Sequence, residues 1–177
     1  ELRTPLNAIL GYQGILELVG ALSDDNLEMV QRTQANARRL LDLINDVLDI
    51  SKIEAGQLVL ACSSFDLGAS IDKMTKLVVP LAEKKGIKLQ LDLPDTVLTI
   101  TTDQRRVEQV ILNLLNNAVK FTETGSVRIA CLNENDHVLI SFTDTGIGIT
   151  PEEIPNLFQP FHQVDTGLAR KREGTGL

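Results

Sequence analysis

The chain has 177 residues, 43 % of them apolar and 3 % aromatic, with 17 Lys and Arg against 24 Asp and Glu and a net charge of −7. This is enough apolar material for one domain of ordinary size, or for a small domain beside a moderate one. An acidic balance with interspersed cations excludes a general nucleic-acid surface, which would be basic. No apolar run reaches the roughly 18 residues needed to cross a bilayer, and Cys62 and Cys131, far apart and without a CxxC, read as reduced core thiols of a cytosolic domain.

The first residues, Glu1-Leu-Arg-Thr-Pro-Leu-Asn, already show helical spacing. Leu2, Leu6, Ile9, Leu16 and Val19 share a stripe and predict a helix to about residue 21, kinked at Pro5, which lacks an N–H and clashes with the preceding turn. Ser23-Asp24-Asp25 supplies an N-cap and first-turn acids for a second helix. In it Leu27, Val30, Ala37, Leu40, Leu41, Ile44, Val47, Leu48 and Ile53 recur at three- and four-residue steps to about Ala55, close to a heptad pattern. Gly56 stops it. Two such helices joined by a short loop form an antiparallel hairpin that cannot bury both stripes, and pairing into a dimeric four-helix bundle resolves this.

After Gly56 the pattern changes. Residues 58–60 predict a short strand. Leu67, Ile71, Met74, Leu77, Val78 and Leu81 predict a third helix, capped near Ser64 or Asp66 and ended by Lys84-Lys85-Gly86. Ile87, Leu89, Leu91 and Leu93 alternate as a strand, Pro94-Asp95 turns the chain, and Val97 to Ile100 return it. Thr102-Asp103 caps a fourth helix to about Thr122. Val127, Ile129 and Cys131, then Val138, Ile140 and Phe142, alternate about a turn at 133–136 and predict a hairpin. Thr150-Pro151-Glu152-Glu153 has the form of a capping box with Pro at N1, and the polar tail from His162 reads as a loop. The expected second unit is an α+β sandwich, with helices on one face of a largely antiparallel sheet.

Three stretches in this unit carry chemistry. In the fourth helix, at ~100° per residue, Asn113, Asn117 and Lys120 fall within about 40° of one direction with Asn116 beside them, opposite Ile111, Leu115, Ala118 and Val119. Asn is a mediocre helix former, so the amides cost helix stability without local benefit. Amide oxygens are neutral hard ligands suited to Mg²⁺, which keeps waters and takes phosphate oxygens, and an ammonium adds a phosphate partner. The bland alternative is a solvated polar face. The second stretch is Asp144-Thr-Gly-Ile147-Gly-Ile directly after a strand. A carboxylate there accepts from an exocyclic amine such as that of adenine, and Gly146 and Gly148 let backbone approach a flat ring. The third is Leu157-Phe158-Gln-Pro-Phe161-His-Gln163 with Gly174-Thr175-Gly176-Leu177. Its aromatics anchor a loop base, and its glycines place backbone N–H groups near phosphates.

In this order, the stretches resemble the kinase core of two-component sensor histidine kinases over essentially the whole chain. Glu1 to Asn7 is similar to the H-box just after its phospho-accepting His, Asn113 to Lys120 to the N-box, Asp144 to Gly148 to the G1 box, Phe158 to Phe161 to the F-box, and Gly174 to Gly176 to the start of the G2 box. The resemblance implies a dimerisation and phosphotransfer hairpin over residues 1–56. It implies an ATP-binding α/β sandwich of the Bergerat type, shared with gyrase, Hsp90 and MutL, over residues 57–177, truncated before its C-terminal helix and strand. It implies Mg²⁺-ATP on Asn113 and Asn117, ATP phosphates near Lys120, Phe121 close to the nucleotide, Asp144 on the adenine amine, and Asn116 and Ile147 among the nucleotide-binding residues. Gly146, Gly148, Phe158, Phe161, Gly174, Thr175, Gly176 and Leu177 would shape the pocket and its lid. Glu1 would be the general base beside the acceptor imidazole, within hydrogen-bond reach of it, and Thr4 the residue that positions water for dephosphorylation.

The activity so implied is autophosphorylation of a His expected just before Glu1, then transfer to an Asp of a response-regulator receiver. The setting is a homodimer through helices 1–55, with the receiver in trans or in the same chain. The location is cytoplasmic, free or as part of a membrane-bound sensor, with no nucleic acid and no direct membrane contact. His137 and His162 lie off the first helix and are not acceptors. Where some members have an Arg after the F-box this chain has Gln163, so a γ-phosphate contact is lost or passes to Arg170, Lys171 or Arg172. Gln163 and the acidic surface are similar to hybrid kinases. Hydrolytic relatives carry a Glu one turn before the metal-binding Asn. Asn113 stands there, and an amide is no base at neutral pH, which opposes a gyrase-like ATPase. A catalytically degenerate dimerisation and nucleotide-sensing module is the alternative from another class.

Overall fold

A computed structural model describes residues 3–18, 24–94, 96–134 and 137–157. The chain divides into two compact units, the first running to Leu58 and taking in the chain from Asn156 on, the second spanning Val59–Pro155.

The first unit contains α1 (Arg3–Leu18) and α2 (Asp24–Glu54), packed on each other. Pro5 lies in the first described turn of α1. Leu6, Gln13 and Ala37 are buried. Ile9, Tyr12 and Leu16 of α1 stay exposed, as do Met29, Leu40 (50 %) and Val47 (44 %) of α2. On each helix these residues lie on one flank of the buried line, by the ~100° step per residue. One hairpin therefore covers only part of its apolar surface. Gly56, at φ +64°, ends the α2 run in the left-handed region, which Gly enters without the Cβ penalty.

The second unit is built on α3 (Leu67–Lys85) and α4 (Gln104–Phe121). A three-stranded sheet has β2 (Lys88–Asp92), β4 (Ser126–Glu134) and β5 (His137–Asp144) in the order β2-β4-β5. A separate two-stranded sheet pairs β1 (Ser63–Asp66) with β3 (Thr99–Thr102). Asp66 caps α3 by accepting from Gly68 N–H (2.9 Å) and Ala69 N–H (3.4 Å). Gly86, at φ +68°, closes its other end. Pro80 sits inside α3, and the helix continues because Val78 and Ala82 on either side are buried. Leu67, Ile71, Met74, Val78, Ile111, Leu115 and Val119 of the helices pack with Val127, Ile129 and Cys131 of β4 in one core. Each such side chain, fully buried, contributes about 1.5–3 kcal/mol. Outward residues of β4 alternate with this buried set.

Four expectations are corrected. Residues 58–60 form no strand, since Val59 is 88 % exposed. The strand lies further on, at Ser63–Asp66, where Thr99–Thr102 offers a partner. The chain after Pro94 does not fold back on β2: β3 pairs antiparallel with β1, while β2 pairs parallel with β4, Lys88 opposite Ser126. That parallel pair needs a long crossover, which α4 supplies. Thr150 to Glu153 forms a turn, with Glu153 N–H bonded to Thr150 O at 3.0 Å, before one 3₁₀ turn (Ile154–Asn156) rather than a capped α-helix. Finally, both cysteines are free, but only Cys131 is a core thiol, held above its usual pKa by burial, while Cys62 is exposed.

Candidate nucleotide site at the end of α4

The two faces of α4 separate as its sequence requires. Ile111, Leu115, Ala118 and Val119 are buried, and Asn113, Asn116 and Asn117 are exposed on the other side. Among the described residues nothing hydrogen-bonds the three side-chain amides, so their carbonyl oxygens are open to a ligand. The Lys120 ammonium lies 4.8 Å from the centre of the Phe121 ring, near enough for a cation–π attraction.

Asp103 fixes the start of this helix. Its Oδ1 accepts from Arg106 N–H (3.1 Å) and its Oδ2 from Ala61 N–H (3.0 Å). The Ala61 and Arg106 bonds hold its carboxyl below the usual carboxylate range. Glu108, one turn on, is likewise lowered, chiefly by the Lys73 ammonium at 2.8 Å, with Gln104 and Ser70 adding donors.

The far end of α4 is joined to the turn after β5. Ile147 N–H donates to Phe121 O at 3.3 Å, and Thr145 N–H to Ser126 O at 3.1 Å. Ser126 N–H donates back to Thr145 Oγ1 at 3.0 Å. Asp144, exposed at the end of β5, accepts from Gly146 N–H at 2.8 Å, and a carboxylate has acceptor capacity beyond that bond. Gly146 has no room for a side chain: a Cβ there would lie 2.6 Å from Phe121 O and 2.8 Å from Asp144 Oδ1. Gly148, at φ +69°, needs its missing Cβ for backbone reasons instead, since no described atom lies within 4 Å of one. The Asp144 carboxylate is thus held to Gly146 by its side chain, and the turn is held to the end of α4 by the Ile147 N–H to Phe121 O bond.

These residues fit a metal–nucleotide complex in the chemistry of their donor set. Neutral amide oxygens suit a hard cation that shares phosphate oxygens, an ammonium suits phosphate, and a carboxylate beside glycine backbone suits an amino-substituted ring.

Of the residues expected at the site, Asn113, Asn116, Asn117, Lys120 and Phe121 lie on α4, and Asp144, Gly146, Ile147 and Gly148 lie on the turn bonded to its last residue, Phe121. Thr4 falls in α1, in the first unit. Glu1, Phe158, Phe161, Gly174, Thr175, Gly176 and Leu177 lie outside the described residues, as do Gln163, Arg170, Lys171 and Arg172. Two residues escaped the sequence reading, Thr145 and Lys85. Lys85 was legible only as part of a helix stop, but its ammonium reaches Val119 O (2.6 Å), Lys120 O (3.0 Å) and Thr122 O (3.1 Å).

The model of the "His Kinase A (phospho-acceptor) domain" matches residues 1–56, and that of the "Histidine kinase-, DNA gyrase B-, and HSP90-like ATPase" matches residues 102–177. The solved histidine kinase AdeS of Acinetobacter baumannii superposes with a TM-score of 0.66 at 31 % identity, over 91 % of this chain and 79 % of that one. The chain belongs to the histidine kinase family. Full-length ShkA, solved in complex with AMPPNP, matches all of this chain with 36 % of its own, at 32 % identity and a TM-score of 0.81. The signal transduction histidine-protein kinase BarA of Escherichia coli K12 is 39 % identical over 186 residues, covering all of this chain and 20 % of its own. The chain spans about a fifth of the length of the first curated relatives it matches. The helical hairpin and the ATPase-like sandwich are those of this family, and no described helix of this member is long and apolar enough to cross a membrane.

Proposed function

We propose that the chain is the core of a protein-histidine kinase. On this reading residues 57–177 bind ATP with Mg²⁺, and residues 1–56 dimerise and present the phosphate acceptor, a His preceding Glu1. The phosphoryl group then passes to an Asp of a receiver domain. The observation that carries the reading is the open amide face of α4 tied through Phe121 O to the Asp144–Gly148 turn. Family membership supports it, as does the AMPPNP in the ShkA complex.

ATP supplies the γ-phosphoryl group when bound. Asn113 and Asn117 hold its metal through their amide oxygens, Lys120 attracts the phosphates, and Asp144 accepts from the adenine amine while Gly146 and Gly148 admit the ring. Asn113 provides no base, so this face does not activate water, and the phosphoryl group is kept for a nucleophile from the hairpin. Glu1 takes the proton from the acceptor imidazole, and Thr4 orients the water that hydrolyses the phosphorylated receiver, releasing inorganic phosphate. Phe158 and Phe161 anchor the lid, and Gly174 to Leu177 line it. The protein works in the cytoplasm, alone or as the cytoplasmic part of a sensor.

Calorimetry tests the site. Mg-ATP binds the wild-type chain, and Asn117→Ala and Asp144→Ala each abolish binding; unchanged affinity in both variants would sink the assignment. Full-length protein incubated with γ-labelled ATP acquires acid-labile, base-stable label, and label of the opposite stability would rule out phosphohistidine.

A further inference from the structure

The last four carbonyls of an α-helix have no partner within it. At the end of α4 each is accounted for. Ala118 O accepts from Thr122 N–H (3.1 Å) and Phe121 O from Ile147 N–H (3.3 Å). Val119 O and Lys120 O both accept from the Lys85 ammonium, which also reaches Thr122 O just beyond the helix. The chain immediately after Lys85 is fixed to the same corner, since Ile87 N–H bonds Ala82 O and Lys88 N–H bonds Gly125 O, each at 2.9 Å. One side chain from α3 therefore grips the carbonyls on both sides of Phe121 O, the atom that holds the Asp144–Gly148 turn.

We infer that Lys85 is a positioning residue for the nucleotide site: its ammonium orients the last turn of α4, and through Phe121 O sets the distance between the amide face and the turn that carries Asp144. This rests on the reading that nucleotide lies between those two parts. In this role Lys85 acts through α4 rather than on the nucleotide directly. Three donors on one ammonium match three carbonyls at the negative end of the helix dipole. A neutral side chain leaves those carbonyls to water and the corner free to open. A cap that only stabilised the helix would lower melting temperature and leave ligand affinity alone, which separates the two roles.

The test compares Lys85→Met and Lys85→Arg with wild type in the intact protein, at a temperature where all three are folded. Calorimetry with Mg-ADP gives affinity, and amide hydrogen exchange without nucleotide reports on Ile147. Lys85→Met is expected to weaken Mg-ADP about tenfold, or 1.4 kcal/mol, and to speed exchange at Ile147. Lys85→Arg, which keeps charge and donors, restores most of both. A lowered melting temperature with unchanged affinity overturns the proposal, and so does unchanged exchange at Ile147. Wild-type protein that binds no Mg-ADP, while Ile147 still responds to Lys85→Met, overturns the nucleotide reading and reduces Lys85 to a helix cap.

Discussion

Gly146→Ala is the smallest change that tests the geometry of the site. A Cβ at Gly146 meets Phe121 O at 2.6 Å, Phe121 C at 2.9 Å and Asp144 Oδ1 at 2.8 Å. Two of these atoms are backbone of α4 and cannot swing aside, so the turn must move away from the helix. Forced overpacking of this kind costs about 1–3 kcal/mol. The movement also lengthens the Ile147 N–H bond to Phe121 O, already 3.3 Å, and a neutral hydrogen bond contributes about 0.5–1.5 kcal/mol. The turn is exposed and can relieve the strain by local opening without disturbing the core. The penalty therefore falls on binding. If about 2 kcal/mol of it reaches the ligand, Kd for Mg-ATP rises roughly thirtyfold, with the melting temperature little changed. Gly148→Ala is the matched control: it carries a left-handed φ of +69° but meets no described atom, so it costs only the strain of about 1 kcal/mol, roughly fivefold in Kd. Titration calorimetry on both variants decides. Gly146→Ala binding within twofold of wild type, or Gly148→Ala proving the more damaging, would refute the reasoning.

Acid stability should follow Glu108. Its folded pKa is lowered by Lys73, so its contribution is present above the free-glutamate value of about 4.3 and disappears as pH falls through the folded value. Urea unfolding should show a smaller loss of stability on acidification in Glu108→Gln than in wild type, and parallel pH profiles would remove the assignment. For the hairpin, Leu40→Glu with Val47→Glu charges the exposed flank of α2 and is expected to turn a sedimenting dimer into a monomer; a double variant that remains dimeric would place the interface elsewhere.

Where periodicity and burial agree, the sequence was easy to read. Helix α4 announces both faces because its apolar and amide residues recur at helical steps, and β4 and β5 alternate cleanly about a core of Val127, Ile129 and Cys131. The polar strands were harder. Ser63–Asp66 and Thr99–Thr102 show no clean apolar alternation, and each becomes a strand by pairing with the other across some 36 residues. The same limit hid the partner of β2, because a run of alternating leucines states that a strand exists without stating which neighbour it takes. At the candidate site, residue types and spacing pointed to the roles proposed for Asn113, Asn117 and Asp144. The grip of Lys85 on α4 was invisible, since its acceptors are backbone carbonyls 34 to 37 positions away, and every residue type carries a carbonyl.

The parallel register of β2 and β4 also constrains how the molecule comes into being. Residues 88–92 pair with residues 126–130 across an intervening stretch that carries β3 and α4. Chain entropy is therefore spent on a long closure before any contact returns it. The helix with the three asparagines lies in that closing segment, so the proposed site is complete only when the pair is closed. Nucleotide held there, as proposed, recognises only the closed form. At a hundredfold excess over Kd it would add about 2.7 kcal/mol to that form, so the substrate pool would serve as a thermodynamic clasp on the fold that consumes it.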